Sequence, residues 1–168
     1  MGKRSEFDRV KKDFYRTIDK RAVQALEPHL RCENFAEPCS GMLDLANNII
    51  ALGYDCVWHS DISEGIDAFD LDSDRIHNAD CIITNPPWTR SILHPMIDHF
   101  ISIAPYCWML FDADWAHTKQ SKPYMQYCTD IVSVGRLIWI PGTTTSGKDN
   151  CAWYRFADNA GRTTFHGR

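Results

Sequence analysis

The sequence has no Cys-x-x-Cys pair and no long apolar run. Its seven cysteines sit mostly inside apolar stretches, and its seven histidines include no pair at metal-ligand spacing on one helix. These patterns argue against a disulfide framework and a zinc site, and predict reduced, buried thiols and no catalytic metal. No stretch reaches the roughly 18 apolar residues of a membrane helix, and charged residues follow Met1-Gly2-Lys3-Arg4-Ser5 where a signal peptide would be apolar. We therefore expect a soluble, cytoplasmic protein without membrane contact.

Positive charge is scarce in the middle of the chain. Residues 33 to 80 hold eleven carboxylates and one cation, Arg75, although the formal net charge is only −4. Residues 1 to 21 carry eight Lys or Arg against four acids, and residues 81 to 168 carry eight against six. Contacts with nucleic-acid phosphates would have to come from the two ends of the chain, and the affinity for nucleic acid would be modest and salt-sensitive. The alternative is that these charges are solvated surface charges without a binding partner.

Apolar runs alternate with helical patterns, without internal repeats, and 168 residues fit one domain, 1–168, with a flexible basic N-terminus at residues 1–12. The patterns predict helices over 19–30, 43–52, 91–103 and 117–127 and strands over 35–37, 54–59, 79–84, 106–112, 131–140 and 151–156. Such alternation predicts an α/β fold with a mostly parallel sheet and helices on both faces, closed by an antiparallel pair.

Two candidate sites come directly after the first two predicted strands, at the sheet edge where ligands of parallel sheets bind. One is the turn Glu37-Pro38-Cys39-Ser40-Gly41, where Gly41 permits close backbone approach and the next helix offers unpaired N–H groups. The other is Asp61, because an acid at that position can accept both hydroxyls of a ribose. Taken alone, the turn is more often an ordinary strand-to-helix connection, and Asp61 is more often an ordinary loop carboxylate.

The most informative site is Asn85-Pro86-Pro87-Trp88, directly after the apolar run 81–84. It puts a side-chain amide, two rigid prolines and an aromatic plane at a strand end, which suits a flat ring bearing an amine. A plain turn is the alternative, since Asn-Pro and Pro-Pro are both common turn signals. Trp88 weakens that alternative, because an aromatic exposed beside two prolines costs solubility unless it packs or stacks.

Taken in this order, the three sites resemble the cofactor loop, ribose acid and catalytic motif of S-adenosylmethionine-dependent amino-methyltransferases, which methylate exocyclic amines of adenine or cytosine. Two further stretches, Asp13-Phe14-Tyr15-Arg16-Thr17 and Gly147-Lys148-Asp149-Asn150, are similar to parts of small phage-type and bacterial adenine methyltransferases. The resemblance covers about residues 13 to 156.

The resemblance implies a Rossmann-like methyltransferase fold of seven mostly parallel strands with an antiparallel C-terminal strand, S-adenosyl-L-methionine as cofactor, and a bacterial or phage-infected cell. The implied catalytic residues are Asn85, Pro86, Pro87 and Trp88. The implied cofactor-binding residues are Tyr15, Thr17, Glu37, Pro38, Cys39, Ser40, Gly41, Asp61, Ile62, Asp70 and Asn85, with Asp67 competing with Asp70 for the adenine amine. For phosphate contacts we favour the cations expected near this edge: Arg90, Lys119, Lys122, Arg136 and Lys148.

Two positions depart from the family pattern: Leu43 stands where the cofactor loop usually has its second glycine, and Ile18 replaces a proline. The cofactor and catalytic motifs leave no room between them for a target-recognition domain, so selectivity would come from short loops or a protein partner. Trp108, Trp139 and Trp153 lie in predicted strands and are expected to be core residues.

The sequence thus favours a DNA N6-adenine methyltransferase with little intrinsic sequence preference. RNA adenine, the N4 amine of DNA cytosine and protein glutamine stay open as acceptors, because the tetrapeptide recognises a planar amine rather than one molecule. A cofactor-binding module without transfer activity, or a subunit that needs a partner, is the alternative of another class.

Overall fold

The computed structural model describes residues 15–158 and 161–168. The expected flexible N-terminus, 1–12, and residues 13 and 14 of the family resemblance lie outside this part of the chain. The strands are β1 Asn34–Glu37, β2 Asp55–His59, β3 Cys81–Thr84, β4 Cys107–Asp112, β5 Cys128–Gly135, β6 Cys151–Phe156 and β7 Thr164–His166. The α-helices are α1 Arg21–Leu26, α2 Asp44–Ile50, α3 Arg90–Ile103 and α4 Lys122–Met125. Short 3-10 helices cover Glu27–His29, Ile62–Glu64, Ala68–Asp70, Ala113–His117 and Lys119–Ser121.

The strands form one seven-stranded sheet in the order β2-β1-β3-β4-β6-β5-β7. Strand β6 pairs antiparallel with β4 and β5, and the other strand pairs are parallel. The predicted fold class, a mostly parallel seven-stranded sheet with an antiparallel strand near the C-terminus and helices, is confirmed. The antiparallel strand does not form an edge, however, because β6 lies between β4 and β5.

Side chains of β4 show why the sheet carries helices on both faces. Cys107, Met109 and Phe111 join the core under α3, whereas Trp108 and Leu110 join the core under α1 and α2. All five are fully buried or nearly so. A strand buried on both faces reads as a continuous apolar run, which is how β3 and β4 appear in the sequence.

The predicted strand over 131–140 is displaced by several residues. Strand β5 begins at Cys128, opposite Phe156, and ends at Gly135, opposite Cys151. Gly135 has φ of 89°, outside the range of extended backbone, so the strand cannot continue toward Trp139. Residues 136 to 150 therefore form a long loop between β5 and β6.

The predicted helix over 117–127 is wrong for most of its length, since only α4, Lys122–Met125, is α-helical. Pro123 has no N–H and would clash with a carbonyl one turn earlier, which disfavours a helix that begins at residue 117; it lies instead in the first turn of α4, where a proline is tolerated. The hydroxyl of Ser121 also donates to the carbonyls of Ala116 and Thr118, which favours the tighter turns seen here.

Strand β7 was not among the predicted strands. It has three residues, too few to show an alternating pattern, and it pairs parallel with β5 through Thr164, Phe165 and His166. His166 Nε2 lies 2.8 Å from Asp130 Oδ1 on β5, which fixes the register of the pair.

The carboxyl ends of β1 to β5 and the start of β6 lie at the same edge of the sheet, because β6 runs in the opposite direction. The turn after β1, Asp61 after β2 and Asn85 after β3 lie at this edge. The longest helix in the described residues, α3, has 14 residues, and none there is long and apolar enough to cross a bilayer.

Candidate functional site

A cleft of about 480 Å³ opens at the carboxyl edge of the sheet. It lies among the ends of β1, β2 and β3, the segment before α1, and the loop 136–150. The predicted site residues that line it are Tyr15, Thr17, Glu37, Cys39, Ser40, Gly41, Asp61, Ile62, Asn85, Pro86, Pro87, Trp88 and Lys148. The three sequence sites and the N-terminal segment therefore meet in one cavity.

Six predicted site residues do not line this cleft. Pro38 is buried, and Asp70 is exposed at the end of a 3-10 helix, where the neighbouring Asp67 carboxylate accepts the Phe69 N–H at 3.0 Å. The other four are the exposed cations Arg90, Lys119, Lys122 and Arg136. Arg90 starts α3 directly after Thr89, which lines the cleft, and its guanidinium donates to the side chain of Gln120.

The side-chain amide of Asn85 is held at both ends. Its Nδ2 donates to Thr17 Oγ1 at 3.0 Å and lies 3.5 Å from the Tyr15 carbonyl, while its Oδ1 accepts from Trp88 Nε1 at 3.0 Å. An indole nitrogen can only donate, so this contact identifies the amide oxygen. Oδ1 keeps a second lone pair for a further donor.

Three aromatic rings form one side of the cleft. Trp88 and Trp139 meet edge to face, with ring centroids 5.8 Å apart and an interplanar angle of 84°. Tyr15 lies 6.2 Å from Trp139 at an angle of 60°. Trp139 was expected in the core, but it is half-buried in the loop after β5 and lines the cleft, whereas Trp108 and Trp153 are buried as predicted.

The turn after β1 is tied to the end of β2. The Gly41 N–H donates to Asp61 Oδ2 at 2.9 Å, and the Ser63 N–H donates to Asp61 Oδ1 at 2.9 Å. Both oxygens of this buried carboxylate thus have one backbone donor, and each keeps a lone pair for a further donor. The Ser40 hydroxyl donates to the Ser60 carbonyl at 3.1 Å and fixes the same two segments.

Leu43 adopts the backbone conformation of a glycine. Its φ is 63° and ψ is 16°, the left-handed region, and it precedes the first residue of α2. A non-glycine residue there is strained, by roughly 1–2 kcal/mol. Leu43 therefore has the left-handed backbone that a glycine adopts most readily.

Glu37 ends β1 with a buried carboxyl group. Its exposed fraction is 1%, and its Oε2 has no hydrogen-bond partner among the described residues. Burial, with smaller contributions from Asp44 and Asp61, raises the pKa of Glu37 well above its ordinary value against the effect of the Ala46 N–H. A buried carboxyl oxygen that lines a cleft suits a cationic or hydrogen-donating ligand group.

Arg16 and Asp44 also line the cleft, although neither was singled out from the sequence. The Arg16 guanidinium donates to both oxygens of Asp44, at 2.7 and 2.8 Å. The pair attaches the N-terminal segment to the first residue of α2. Its two members are 28 residues apart, so no local pattern could reveal it.

Known proteins share the fold of this chain. No protein-family model matches the sequence, and neither does any curated protein. A solved structure, described as that of "a putative RNA methyltransferase" from Pyrococcus horikoshii, matches over 90% of both chains, with a TM-score of 0.55 and 16% identity. This likeness shows a methyltransferase fold.

The described residues contain no cluster of three or more His, Cys, Asp or Glu side chains arranged for a metal ion. The Cys39 thiol of the cofactor-type turn lines the cleft, and burial raises its pKa to about 12. That thiol therefore stays protonated and unreactive at neutral pH. The other groups that line the cleft include the Asn85 amide, its aromatic neighbours and the carboxyl groups of Glu37 and Asp61.

Proposed function

We propose that this chain is an S-adenosylmethionine-dependent methyltransferase that acts on the exocyclic amine of adenine in DNA, with little intrinsic sequence preference. The observation that carries the proposal is the Asn85 amide, fixed by Thr17 and Trp88, with its oxygen in the same cleft as the carboxyl groups of Glu37 and Asp61. One side of this cleft offers acceptors for an amine, and the other offers acceptors for a cationic, hydroxyl-bearing cofactor.

The residues present fit the cofactor. The unpartnered Oε2 of Glu37 suits the ammonium group of its methionine part, and the remaining lone pairs of Asp61 suit its ribose hydroxyls. Tyr15 and Thr17 would close over the methionine end, and Ile62 would pack beside the adenine ring. When bound, S-adenosylmethionine supplies an electrophilic methyl group on a sulfonium.

The chain's own task is to prepare the amine. An exocyclic amine shares its lone pair with the ring, so it is a poor nucleophile until that pair is localised. Asn85 Oδ1 and the Pro86 carbonyl would each accept one amine hydrogen, which turns the nitrogen toward tetrahedral geometry. Acceptors fixed in advance lower the reorganisation that transfer requires. No general base is needed before transfer, because the amine proton becomes acidic only after methylation.

The aromatic side of the cleft suits a planar base. Trp88 and Trp139 stand at nearly right angles, so a base stacked on one ring would lie nearly perpendicular to the other. Stacking of a base on an aromatic side chain contributes roughly 1–3 kcal/mol. In duplex DNA the adenine must first be flipped out of the helix, and this stacking offsets part of that cost.

RNA adenine is the second candidate substrate. The observation that favours it is the fold match to the protein described as "a putative RNA methyltransferase". Single-stranded RNA also presents unstacked bases, which removes the cost of flipping. The Asn85 amide, held by Thr17 and Trp88, would bind the same amine in either nucleic acid.

The test is methyl transfer in vitro. Purified protein is incubated with labelled S-adenosylmethionine and, in parallel, with unmethylated DNA and RNA of matched sequence, and the nucleosides are then identified by mass spectrometry. We expect N6-methyladenine in DNA. In Asn85→Ala the rate of methyl transfer should fall at least about 100-fold, because the amide that accepts the amine hydrogen is lost together with its hydrogen bonds to Thr17 and Trp88. Asn47→Ala is the matched control, because Asn47 is exposed on α2.

The outcomes separate the candidates. If methyladenine is found in RNA alone, RNA replaces DNA as the proposed substrate. Absence of product from both nucleic acids, or full product from Asn85→Ala, would overturn the proposal. Calorimetry with the cofactor then distinguishes a silent cofactor-binding module, which binds without turnover, from a protein that does not bind it.

A further inference from the structure

The N-terminal strap, residues 15–19, is attached to the cofactor side of the cleft. Arg16 makes two hydrogen bonds to Asp44, and the Thr17 carbonyl accepts from Asn48 Nδ2 at 3.2 Å. Asp44 and Asn48 both belong to α2, the helix after the turn at Gly41. A ligand bound between that turn and the strap would hold the two together.

The same strap is attached to the opposite side of the cleft. Asp19 Oδ2 accepts a hydrogen bond from the backbone N–H of Ile138 at 2.9 Å, across 119 residues of sequence. The next residue in the loop is Trp139, and the Tyr15 ring at the start of the strap contacts it. The strap therefore fixes the backbone beside Trp139 and touches its ring.

The loop 136–150 has a second restraint on Trp139. The Gly147 N–H donates to the Leu137 carbonyl at 2.7 Å, so the loop doubles back on itself. A Cβ at Gly147 would lie 2.9 Å from Trp139 Nε1, so a side chain there would push the indole away. The Trp139 indole sits between the strap, Trp88 and Gly147, and Asp19 is the polar anchor of this arrangement.

Asp19 is suited to that task. Its carboxylate has an exposed fraction of 9% and also accepts from the Arg21 side chain at 3.0 Å. Burial alone would raise the pKa of Asp19, but hydrogen bonds from Arg21 and from the Ile138 N–H outweigh it and hold the pKa below its usual value. The anchor therefore stays charged at neutral pH, where a charge-assisted hydrogen bond is strongest.

We propose that Asp19 is a positioning residue that couples the two halves of the site, so that a cofactor held under the strap orders the loop 136–150 and tightens binding of the nucleobase against Trp139. The inference rests on the proposed function and adds to it a coupling between the two ligands. With the cofactor bound, the base meets an aromatic wall that is already ordered. Coupling of this kind is reciprocal, so the base would also tighten the cofactor.

Hydrogen exchange tests the coupling without relying on activity. Backbone exchange in the loop 136–150 is measured by mass spectrometry, with and without S-adenosylhomocysteine, in the wild type, Asp19→Ala, Asp19→Asn and Arg21→Ala. We expect the ligand to slow exchange in the wild type and not in Asp19→Ala. Asp19→Asn keeps an acceptor for Ile138 and should retain most of the protection. Arg21→Ala removes the ion pair but leaves the Ile138 contact, so it should behave as the wild type.

The affinity for an adenine-containing single-stranded oligonucleotide gives the second readout. With S-adenosylhomocysteine present, we expect it to rise about five- to tenfold in the wild type and less than about twofold in Asp19→Ala. Loop protection that persists in Asp19→Ala, or loss of protection that Arg21→Ala reproduces, would overturn the coupling. If the wild type binds S-adenosylhomocysteine without any change in the loop, the coupling fails and the proposed function stands. If it does not bind that ligand at all, both fail.

Discussion

Trp88 and Asn85 are joined by a hydrogen bond within their own tetrapeptide: the Trp88 indole donates to Asn85 Oδ1 at 3.0 Å. The ring expected to stack on a base thus also orients the amide expected to bind its amine. Only the second of these functions requires an indole, because the rings of phenylalanine and tyrosine offer no N–H in that place.

Replacing Trp88 should separate the two contributions. Trp88→Phe keeps an aromatic plane but removes the donor, so we expect methyl transfer to fall about five- to tenfold, the value of one orienting hydrogen bond. Trp88→Ala removes the stacking surface as well and should lose at least about another tenfold. Rates with saturating cofactor measure both effects. Equal rates in Trp88→Phe and the wild type would show that the hydrogen bond has no catalytic role.

Thr17 supports the other end of the same amide. Its hydroxyl is buried, and it accepts the hydrogen bond from Asn85 Nδ2. Thr17→Val has nearly the same shape and leaves that N–H without its acceptor, so we expect turnover to fall about 5- to 30-fold. Thr17→Ser restores the hydroxyl and should recover most of the rate.

The role of Thr17 can be identified by comparing how much its substitution changes turnover and how much it changes cofactor affinity. If its main task is to hold Asn85, the apparent affinity for S-adenosylmethionine should change less than turnover does. A loss confined to cofactor affinity would instead support the sequence-based expectation that Thr17 contacts the methionine moiety. Initial rates over a range of cofactor concentrations distinguish the two.

The sequence predicted the parts of the site that lie directly after a strand. Asn85 could be placed because β3 is a buried apolar run, and Asp61 because it comes just after the predicted strand at 54–59; residues that follow parallel strands lie at the carboxyl edge of the sheet. Trp139 was misplaced because the apolar run continues past Gly135, where the backbone leaves the strand. The contacts of Asp19 with Ile138 and of Arg16 with Asp44 depend on how distant segments pack, which no local pattern contains.

At position 43 a glycine variant should be more stable than an alanine variant, which is the reverse of the usual order in helices. At an ordinary helical position alanine is more stable than glycine, whereas in the left-handed region glycine is favoured by about 1 kcal/mol. We therefore expect the free energy of unfolding of Leu43→Gly to exceed that of Leu43→Ala by about 1 kcal/mol. Urea denaturation of the two variants measures the difference.

The pair Asn47→Gly and Asn47→Ala serves as the control for Leu43, because Asn47 is exposed inside α2. There alanine should be the more stable by about 0.5–1 kcal/mol. The same sign at both positions would mean that the turn before α2 carries no backbone strain. The opposite sign would show that the chain accepts this strain to form the turn under the cleft.

Glu37 should make the ligand-free protein less stable as pH rises. Its folded-state pKa lies well above the ordinary value of 4.5, so between those two values the folded form binds the extra proton. The free energy of unfolding then falls as pH increases above about 4.5. Glu37→Gln, which is always neutral, should unfold at a higher temperature than the wild type at about pH 7, and the difference should shrink toward about pH 4.

The same substitution should act in the opposite direction on ligand binding. A neutral amide cannot compensate a cationic ammonium group as a carboxylate can, so Glu37→Gln should bind S-adenosylmethionine at least about tenfold more weakly while being more stable without it. Glu33→Gln, at an exposed position just before β1, should change neither property. Thermal unfolding over the pH range and calorimetry with the cofactor provide both measurements. A Glu37→Gln variant that is less stable than the wild type at neutral pH would mean that the buried carboxyl is satisfied as a charged group, and that its Oε2 is not held ready for a ligand.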